Sequence, residues 1–193
     1  MGSGVVRIGM ALLLSVASCA VLAQDVASPS PPAQRVVGEG ITGSLLRHAQ
    51  FPSRHVAARN VDVWLPPGYD EAKDARYPVL YMHDGQNVFD PSTSYTRVDW
   101  GVDEAMTRLI GNGHVRQAIV VAVWNTPKRL QEYMPRKALR SESFIPTPGD
   151  PPFPTAEIVA DAYLAFLATE LKPFIDAQYR TLKGPSDTFV MGS

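Results

Sequence analysis

The stretch Y-P-V-L-Y-M-H-D-G, residues 77–85, decides the fold. Residues 79–82 are apolar without interruption, so they lack the alternation of a strand with one wet face. A proline leads the run in, and D-G turns the chain out of it. A short apolar run bounded in this way reads as a strand buried on both faces, in a sheet covered by helices. Two more runs of the same type follow, A-I-V-V-A-V-W at residues 118–124 and T-F-V-M at 188–191.

The segments between these strands have helical period. In residues 98–110, Val102, Met106, Leu109 and Ile110 recur at helix spacing, and Gly111-Asn112-Gly113 closes the pattern. In residues 160–179, Tyr163, Leu164, Leu167, Leu171, Phe174 and Ile175 are expected on one face. Pro173 should kink that helix, because its ring displaces the carbonyl four residues back.

Upstream, residues 40–51 form a first strand of weak periodicity. Residues 55–66 end in alternation, with Val61, Val63 and Leu65 on one side and Asp62 and Trp64 on the other. That pattern predicts a half-buried strand. Leading strands followed by alternating strands and helices predict an α/β domain. Its sheet is expected to be mostly parallel, with helices on both faces and the leading strands antiparallel at one edge.

The bulk numbers agree with one globular domain. Of 193 residues, 45% are hydrophobic and 19% charged, and the net charge is −1. No basic excess points to nucleic acid, and no acidic run points to a solvating tail.

Residues 1–23 read as a secretory signal peptide. Arg7 supplies the early positive charge, an apolar stretch follows, and Val-Leu-Ala precedes cleavage after Ala23. The apolar run is too short to span a membrane, and the mature protein is expected in the periplasm or outside the cell. The alternative is a lipoprotein, since Val16-Ala17-Ser18-Cys19 resembles a lipobox that would anchor Cys19. Cys19 is the sole cysteine, so cleavage after Ala23 leaves none for disulfides, thiol catalysis or thiolate metal sites. Residues 24–38, rich in Pro and Ser, read as a linker. The domain then runs from 39 to 193.

In open parallel sheets, ligands bind at the carboxyl ends of the strands. Here those ends are residues 83–90, residues 124–133, and the pair Gly192-Ser193.

At this point five segments together resemble the putative-esterase family of α/β-hydrolases. They are R-Y-P-V-L-Y-M-H-D-G-Q-N-V-F-D, W-G-V-D-E-A, N-T-P-K-R-L-Q-E-Y-M-P, E-L-K-P-F-I-D-A-Q-Y-R-T and F-V-M-G-S. The family includes enterochelin (siderophore), feruloyl and acetyl-xylan esterases, esterase D and mycolyl-transfer antigens.

The resemblance implies a nucleophile elbow, G-x-S-x-G, immediately after the third apolar strand. Gly192 would open it and Ser193 would be its second residue. Ser193 cannot be the nucleophile, because Met191 stands where the first glycine would be required. The nucleophile is thus expected just after Ser193, with the triad acid and histidine later still. The 193 residues read as an N-terminal portion of a hydrolase, expected to be inactive alone. An apolar inner strand left at a sheet edge is also expected to make it poorly soluble or dye-binding.

The resemblance further implies an oxyanion-hole donor in the loop after residues 79–82. The candidate is the Gln86 backbone N–H, with Gly85 allowing close approach to substrate. His83 and Asp84 are expected to position that loop rather than hold a metal, since neighbours on a strand point to opposite sides. The remaining histidines, His48, His55 and His114, are read as surface or satisfied groups.

The loop from 125 to 155 is long for such a connection. It carries Arg129, Glu132, Tyr133 and Arg136, and a proline cluster between Pro146 and Pro154. Two readings stand. It is a structural loop with an internal Arg–Glu pair, or a cap in which Arg129 or Tyr133 touches substrate. Asp84 and Trp124 belong to the same candidate substrate loops. Trp100 and Asp103 are read as packing and as complement to a helix dipole.

The expected activity is therefore that of an exported serine carboxylesterase with no metal and no cofactor. Its substrate would be a small-molecule or polysaccharide-linked ester: a siderophore, a feruloyl or acetyl ester, or an envelope ester. The alternatives are acyl transfer on the same fold, or a non-catalytic protein that binds esters, glycans or a partner strand.

Overall fold

The computed structural model describes residues 1, 32–38, 40–135 and 158–192. The expected signal peptide with Cys19, Arg136, the proline cluster and Ser193 lie outside the described residues.

The strands are β1 (Gln34–Val36), β2 (Ser44–Phe51), β3 (Arg59–Leu65), β4 (Val79–His83), β5 (Ile119–Val123) and β6 (Thr188–Met191). They form one sheet in the order β1-β2-β3-β5-β4-β6. β4 pairs in parallel with β5 and with β6, while β1–β2, β2–β3 and β3–β5 are antiparallel. The α/β class and the antiparallel leading edge match the expectation. The described sheet, however, is mixed rather than mostly parallel. The reason is topological: β4 runs against β3 with one slot left between them. β5 returns to that slot through a helix, so it lies parallel to β4 and antiparallel to β3.

β1 was not legible. It falls inside the stretch read as linker, yet it pairs with residues 45–47 of β2. A three-residue edge strand carries no usable period.

Helix α1 (Val102–Gly111) connects β4 to β5 and covers one face of the sheet. Its Val102, Met106 and Ile110 pack against Leu45, Trp64, Met82, Val120 and Ala122. Over the opposite face lie α3 (Ala160–Ala165), a π-helical segment Phe166–Leu171, and α4 (Lys172–Gln178). They bury Tyr163, Phe166, Leu171 and Ile175 against Val61, Val63, Val79, Tyr81 and Val121. Leu164 departs from the expected face and is 59% exposed.

The kink expected at Pro173 takes the form of the π segment just before it. Wider i→i+5 winding makes room for a ring that would otherwise strike the carbonyl four residues back, at Thr169.

Helices on both faces also correct the reading of β3 as half-buried. Its alternation is as expected, but neither side is wet. Trp64 is buried and donates Nε1–H to the Thr42 carbonyl at 2.7 Å. Asp62 accepts both Nε (2.7 Å) and Nη2 (2.8 Å) of Arg47, and the Trp124 indole N–H at 2.9 Å. A buried carboxylate with three charge-assisted or indole donors is a satisfied group.

α1 is tied to the loop before β2 by Asp103, which is fully buried and accepts the Thr42 N–H at 2.6 Å. The role expected for Asp103 in the first turn of α1 is thus joined by a tertiary bond. Burial, with Glu104 beside it, lifts the Asp103 carboxyl from 3.8 to about 6, against the pull of the Thr42 N–H. A carboxyl raised on folding favours the folded state most when protonated, so its contribution is lost as pH rises between about 4 and 6.

Asp103→Asn keeps an acceptor for Thr42 and removes that loss. The variant is expected to gain stability relative to the parent on going from pH 4 to pH 7. Equal pH dependence of the two melting curves would contradict this. Separately, β6 is the outer strand among the described residues, with Phe189, Val190 and Met191 exposed by 47%, 63% and 57%. A polypeptide of these 193 residues is expected to enhance ANS fluorescence. A dye-silent monomer with a cooperative melt would show that this edge is covered.

Candidate functional site

β4 and β6 leave the sheet side by side, with Met82 opposite Met191 as the last parallel partners. The next residues are in close contact. A Cβ on Gly192 would lie 2.8 Å from Cδ2 and 2.9 Å from Cβ of His83. Glycine is therefore required here by packing, at the residue expected to open the elbow.

His83 is held from the other side, its Nδ1 lying 2.8 Å from the Tyr163 hydroxyl. The rings of His83, Tyr133 and Tyr163 form a mutual cluster, with centroids 5.1–5.5 Å apart. Burial pushes the His83 imidazole below its ordinary value, and Asp84 opposes that shift. Burial likewise raises both tyrosines, so they stay protonated hydrogen-bonding groups at neutral pH. His83, Tyr133, Tyr163, Leu164, Met191 and Gly192 line a cleft of about 540 Å³ at these strand ends.

After His83 the chain makes a tight turn. Asp84 takes the left-handed conformation, φ 56° and ψ 42°, and Gly85–Asn87 form one 3-10 turn. The first amides bonded within the turn are Asn87, to the Asp84 carbonyl at 2.9 Å, and Val88, to Gly85 at 3.3 Å. The amides of Gly85 and Gln86 precede them and stand outside the turn's own ladder, as the first donors of any helical turn do.

Gly85 rests on the backbone of β5. A Cβ there would fall 2.6 Å from the carbonyl carbon of Ala122 and 2.7 Å from both N and C of Val123. The Gln86 side chain faces the β5 exit, where its Oε1 accepts the Asn125 N–H at 3.2 Å, and its carbonyl accepts the Thr93 hydroxyl at 2.8 Å.

The Asp84 carboxylate is 2% exposed and well partnered. Arg129 grips it with Nε and Nη2, each at 2.7 Å, and Asn125 Nδ2 donates to Oδ1 at 2.6 Å. Arg129 and Tyr133 belong to α2 (Arg129–Tyr133), a helix that the sequence did not reveal inside the long loop. Of the arginines that could form the internal Arg–Glu pair expected there, Arg136 lies outside the described residues and Arg129 is turned to Asp84. Glu132 instead receives Arg59 of β3 at 2.7 and 2.9 Å, both side chains fully buried. The Arg59 guanidinium also lies 5.3 Å from the ring centres of Tyr163 and Phe166. The pairs Arg59–Glu132 and Arg129–Asp84 fasten α2 to the sheet.

Several sequence candidates thus converge: Asp84, Gly85, Gln86, Arg129, Tyr133 and Gly192 surround one end of β4. Trp124 does not join them. Its indole N–H is spent on Asp62, and the Arg47 guanidinium lies 4.5 Å from its ring centre, so it anchors the antiparallel half. Asn125, Arg59 and Tyr163 belong to the site's framework and were not singled out. Their partners lie 41, 73 and 80 residues away, beyond any local pattern. His48 is buried with Nε2 2.7 Å from the Tyr179 hydroxyl, while His55 and His114 are exposed.

One acidic trio among the described residues, Asp99, Asp103 and Glu104, brings ligand-type oxygens within 4.8 Å of one another. Asp103 and Glu104 occupy the first turn of α1, whose amide dipoles favour negative charge without an ion.

Gly85→Ala is expected to destabilise the protein by about 1–3 kcal/mol, because the clashing atoms are backbone and cannot rotate away. Gly184→Ala meets nothing within 4 Å and serves as the control, expected within about 0.5 kcal/mol of the parent. Equal denaturation midpoints for the two variants would refute the close approach at Gly85.

The sequence profile of the family described as "Putative esterase" matches residues 56–193. Among solved structures, the chain is similar to an IroE-like serine hydrolase from Shewanella oneidensis (26% identity, TM-score 0.49, 67% of this chain and 37% of that one). It is also similar to a ferulic acid esterase from Anaeromyces mucronatus solved with ferulic acid (22%, 0.48, 82% and 52%). A third is the siderophore hydrolase EstA from Aspergillus nidulans (21%, 0.47, 86% and 51%). The chain spans about half or less of the length of these structures. No curated protein matches it.

Proposed function

This chain belongs to the putative-esterase family, and from that premise we propose that the whole protein is a serine hydrolase of carboxylic esters. The observation that carries the proposal is the paired exit of β4 and β6. It sets Gly192 against His83 and places the Gly85 and Gln86 amides at the same end of the sheet.

The nucleophile is a serine directly after Ser193, in an elbow opened by Gly192. Its Oγ attacks the ester carbonyl carbon, a histidine later in the chain takes its proton, and the alcohol leaves from an acyl-enzyme. Water then cleaves the acyl-enzyme and regenerates the serine. The Gln86 N–H, with the N–H after the nucleophile, binds the oxygen that becomes negative. Each such donor is worth about 3–4 kcal/mol of transition-state stabilisation. Gly85 keeps the backbone low enough for the substrate to reach that donor. The chemistry calls for no metal and no cofactor.

Residues 1–193 contain no G-x-S-x-G, so this length of chain alone is proposed to be inactive. Export follows from the reading of residues 1–23 as a signal peptide cleaved after Ala23, which places the enzyme in the periplasm or outside the cell. The same reading makes 24–38 largely linker and puts the esterase domain from 39 onward. No helix among the described residues is long and apolar enough to cross a membrane.

The test is ester turnover by protein expressed from the whole open reading frame, beside a polypeptide of residues 1–193. Aryl acetates, feruloyl esters and a catecholate siderophore ester make a first panel. The proposal expects turnover from the first protein and none from the second. A folded whole protein that turns over none of the panel, or that binds these esters without cleaving them, would replace the esterase reading with a binding role. Acyl transfer to an added alcohol in preference to water would assign a transferase.

A further inference from the structure

Resting on the esterase reading, we infer that Arg129 and Asn125 are positioning residues for the reaction, acting through Asp84 to fix the turn that presents the Gln86 amide. The starting point is a conformation that needs holding. Asp84 is a non-glycine residue in left-handed geometry, φ 56°, at the hinge between β4 and the 3-10 turn. Aspartate tolerates this region better than most residues but does not prefer it. Whatever sets the Asp84 backbone sets the direction of the next two amides.

Among the described residues, three side-chain donors constrain the Asp84 carboxylate. The Arg129 fork reaches both carboxylate oxygens at 2.7 Å, which fixes the plane of the carboxylate as well as its position. Asn125 Nδ2 adds a third bond at 2.6 Å. Asn125 then acts a second time, because its backbone N–H donates to Gln86 Oε1. One residue at the β5 exit thus holds both ends of the Asp84–Gln86 segment. Gly85, seated on the backbone of β5, blocks any slide of the turn toward the sheet.

The arrangement also favours a positioning role for Arg129 over a substrate contact. Its Nε and Nη2 edge is turned to Asp84, and its guanidinium lies 5.2 Å from the Tyr133 ring centre. The fork that fixes the plane of a carboxylate through Nε and Nη2 is thus spent on Asp84 rather than on a substrate. Lysine cannot reproduce the fork, since its ammonium is a point charge without a plane.

The experiment compares Arg129→Ala, Arg129→Lys and the parent in the whole protein, on an aryl ester. Arg129→Ala is expected to lose about 10²-fold in kcat, on the scale of removing one oxyanion donor. KM should stay close to the parent value, and Arg129→Lys should fall between the two. Added guanidinium at non-denaturing concentration should restore part of the kcat of Arg129→Ala, and none of that of Gly85→Ala. A rise in KM with kcat unchanged would make Arg129 a substrate contact and overturn the inference. Unchanged kcat and KM would overturn it as well.

If the parent itself shows no turnover, the esterase reading fails on its own, and hydrogen exchange of residues 83–88 decides the positioning role. Faster exchange confined to that turn in Arg129→Ala supports the clamp. Exchange equal to the parent overturns it.

Discussion

The turn after β4 lies directly on the backbone of β5, and the rest of the site depends on that contact. A side chain at residue 85 would meet main-chain atoms of Ala122 and Val123 at 2.6–2.7 Å. Glycine there lets the turn start within the sheet's own thickness rather than above it. The amides of Gly85 and Gln86 consequently stand at the level where β4 and β6 end. A second contact of the same kind, Gly192 against His83, brings β6 to that level too. Two glycines, each just past the end of one of two neighbouring parallel strands, thus define one working edge of the sheet. This is the edge at which open α/β sheets place their ligands.

Charge pairs fasten the surrounding parts to that edge. Arg59–Glu132 joins β3 to α2 from within the core, and Arg129–Asp84 joins α2 to the β4 turn. Buried ion pairs are weak contributors to net stability, because desolvation cancels much of their attraction. Their effect here is directional. A five-residue helix such as α2 has little helical stability of its own, so its placement must come from tertiary bonds. Two bidentate pairs on its opposite ends leave it one orientation. That orientation stacks Tyr133 against His83 and Tyr163 and closes one wall of the cleft.

How much of this was legible follows from how local each signal is. β4, β5 and β6 could be read because each is a short unbroken apolar run, and α1 because its apolar residues keep a 3.6 period to a glycine stop. Gly85 and Gly192 stood out through the family resemblance, while the reason each must be glycine became visible only in the contacts. β1 escaped notice because three residues have no period. The dry outer side of β3 escaped because alternation reports sidedness, not what covers the second side. Leu164 matched the helical pattern yet faces outward, since the chain widens into a π segment after Ala165 and shifts the register of the buried face. The pairs Arg59–Glu132 and Arg129–Asp84 link residues 73 and 45 apart, and charge identity alone did not select these partners.

The central claim is that the ends of β4 and β6 form half of a serine-hydrolase site whose nucleophile follows Gly192-Ser193. Active-site labelling tests it most directly. The whole protein would be treated with a fluorophosphonate, and the modified residue located by peptide mass spectrometry. The account predicts a single adduct on a serine immediately after Ser193, abolished when that serine is replaced by alanine. An adduct on another residue of the sheet, such as Ser94, or none on a folded protein, would contradict it.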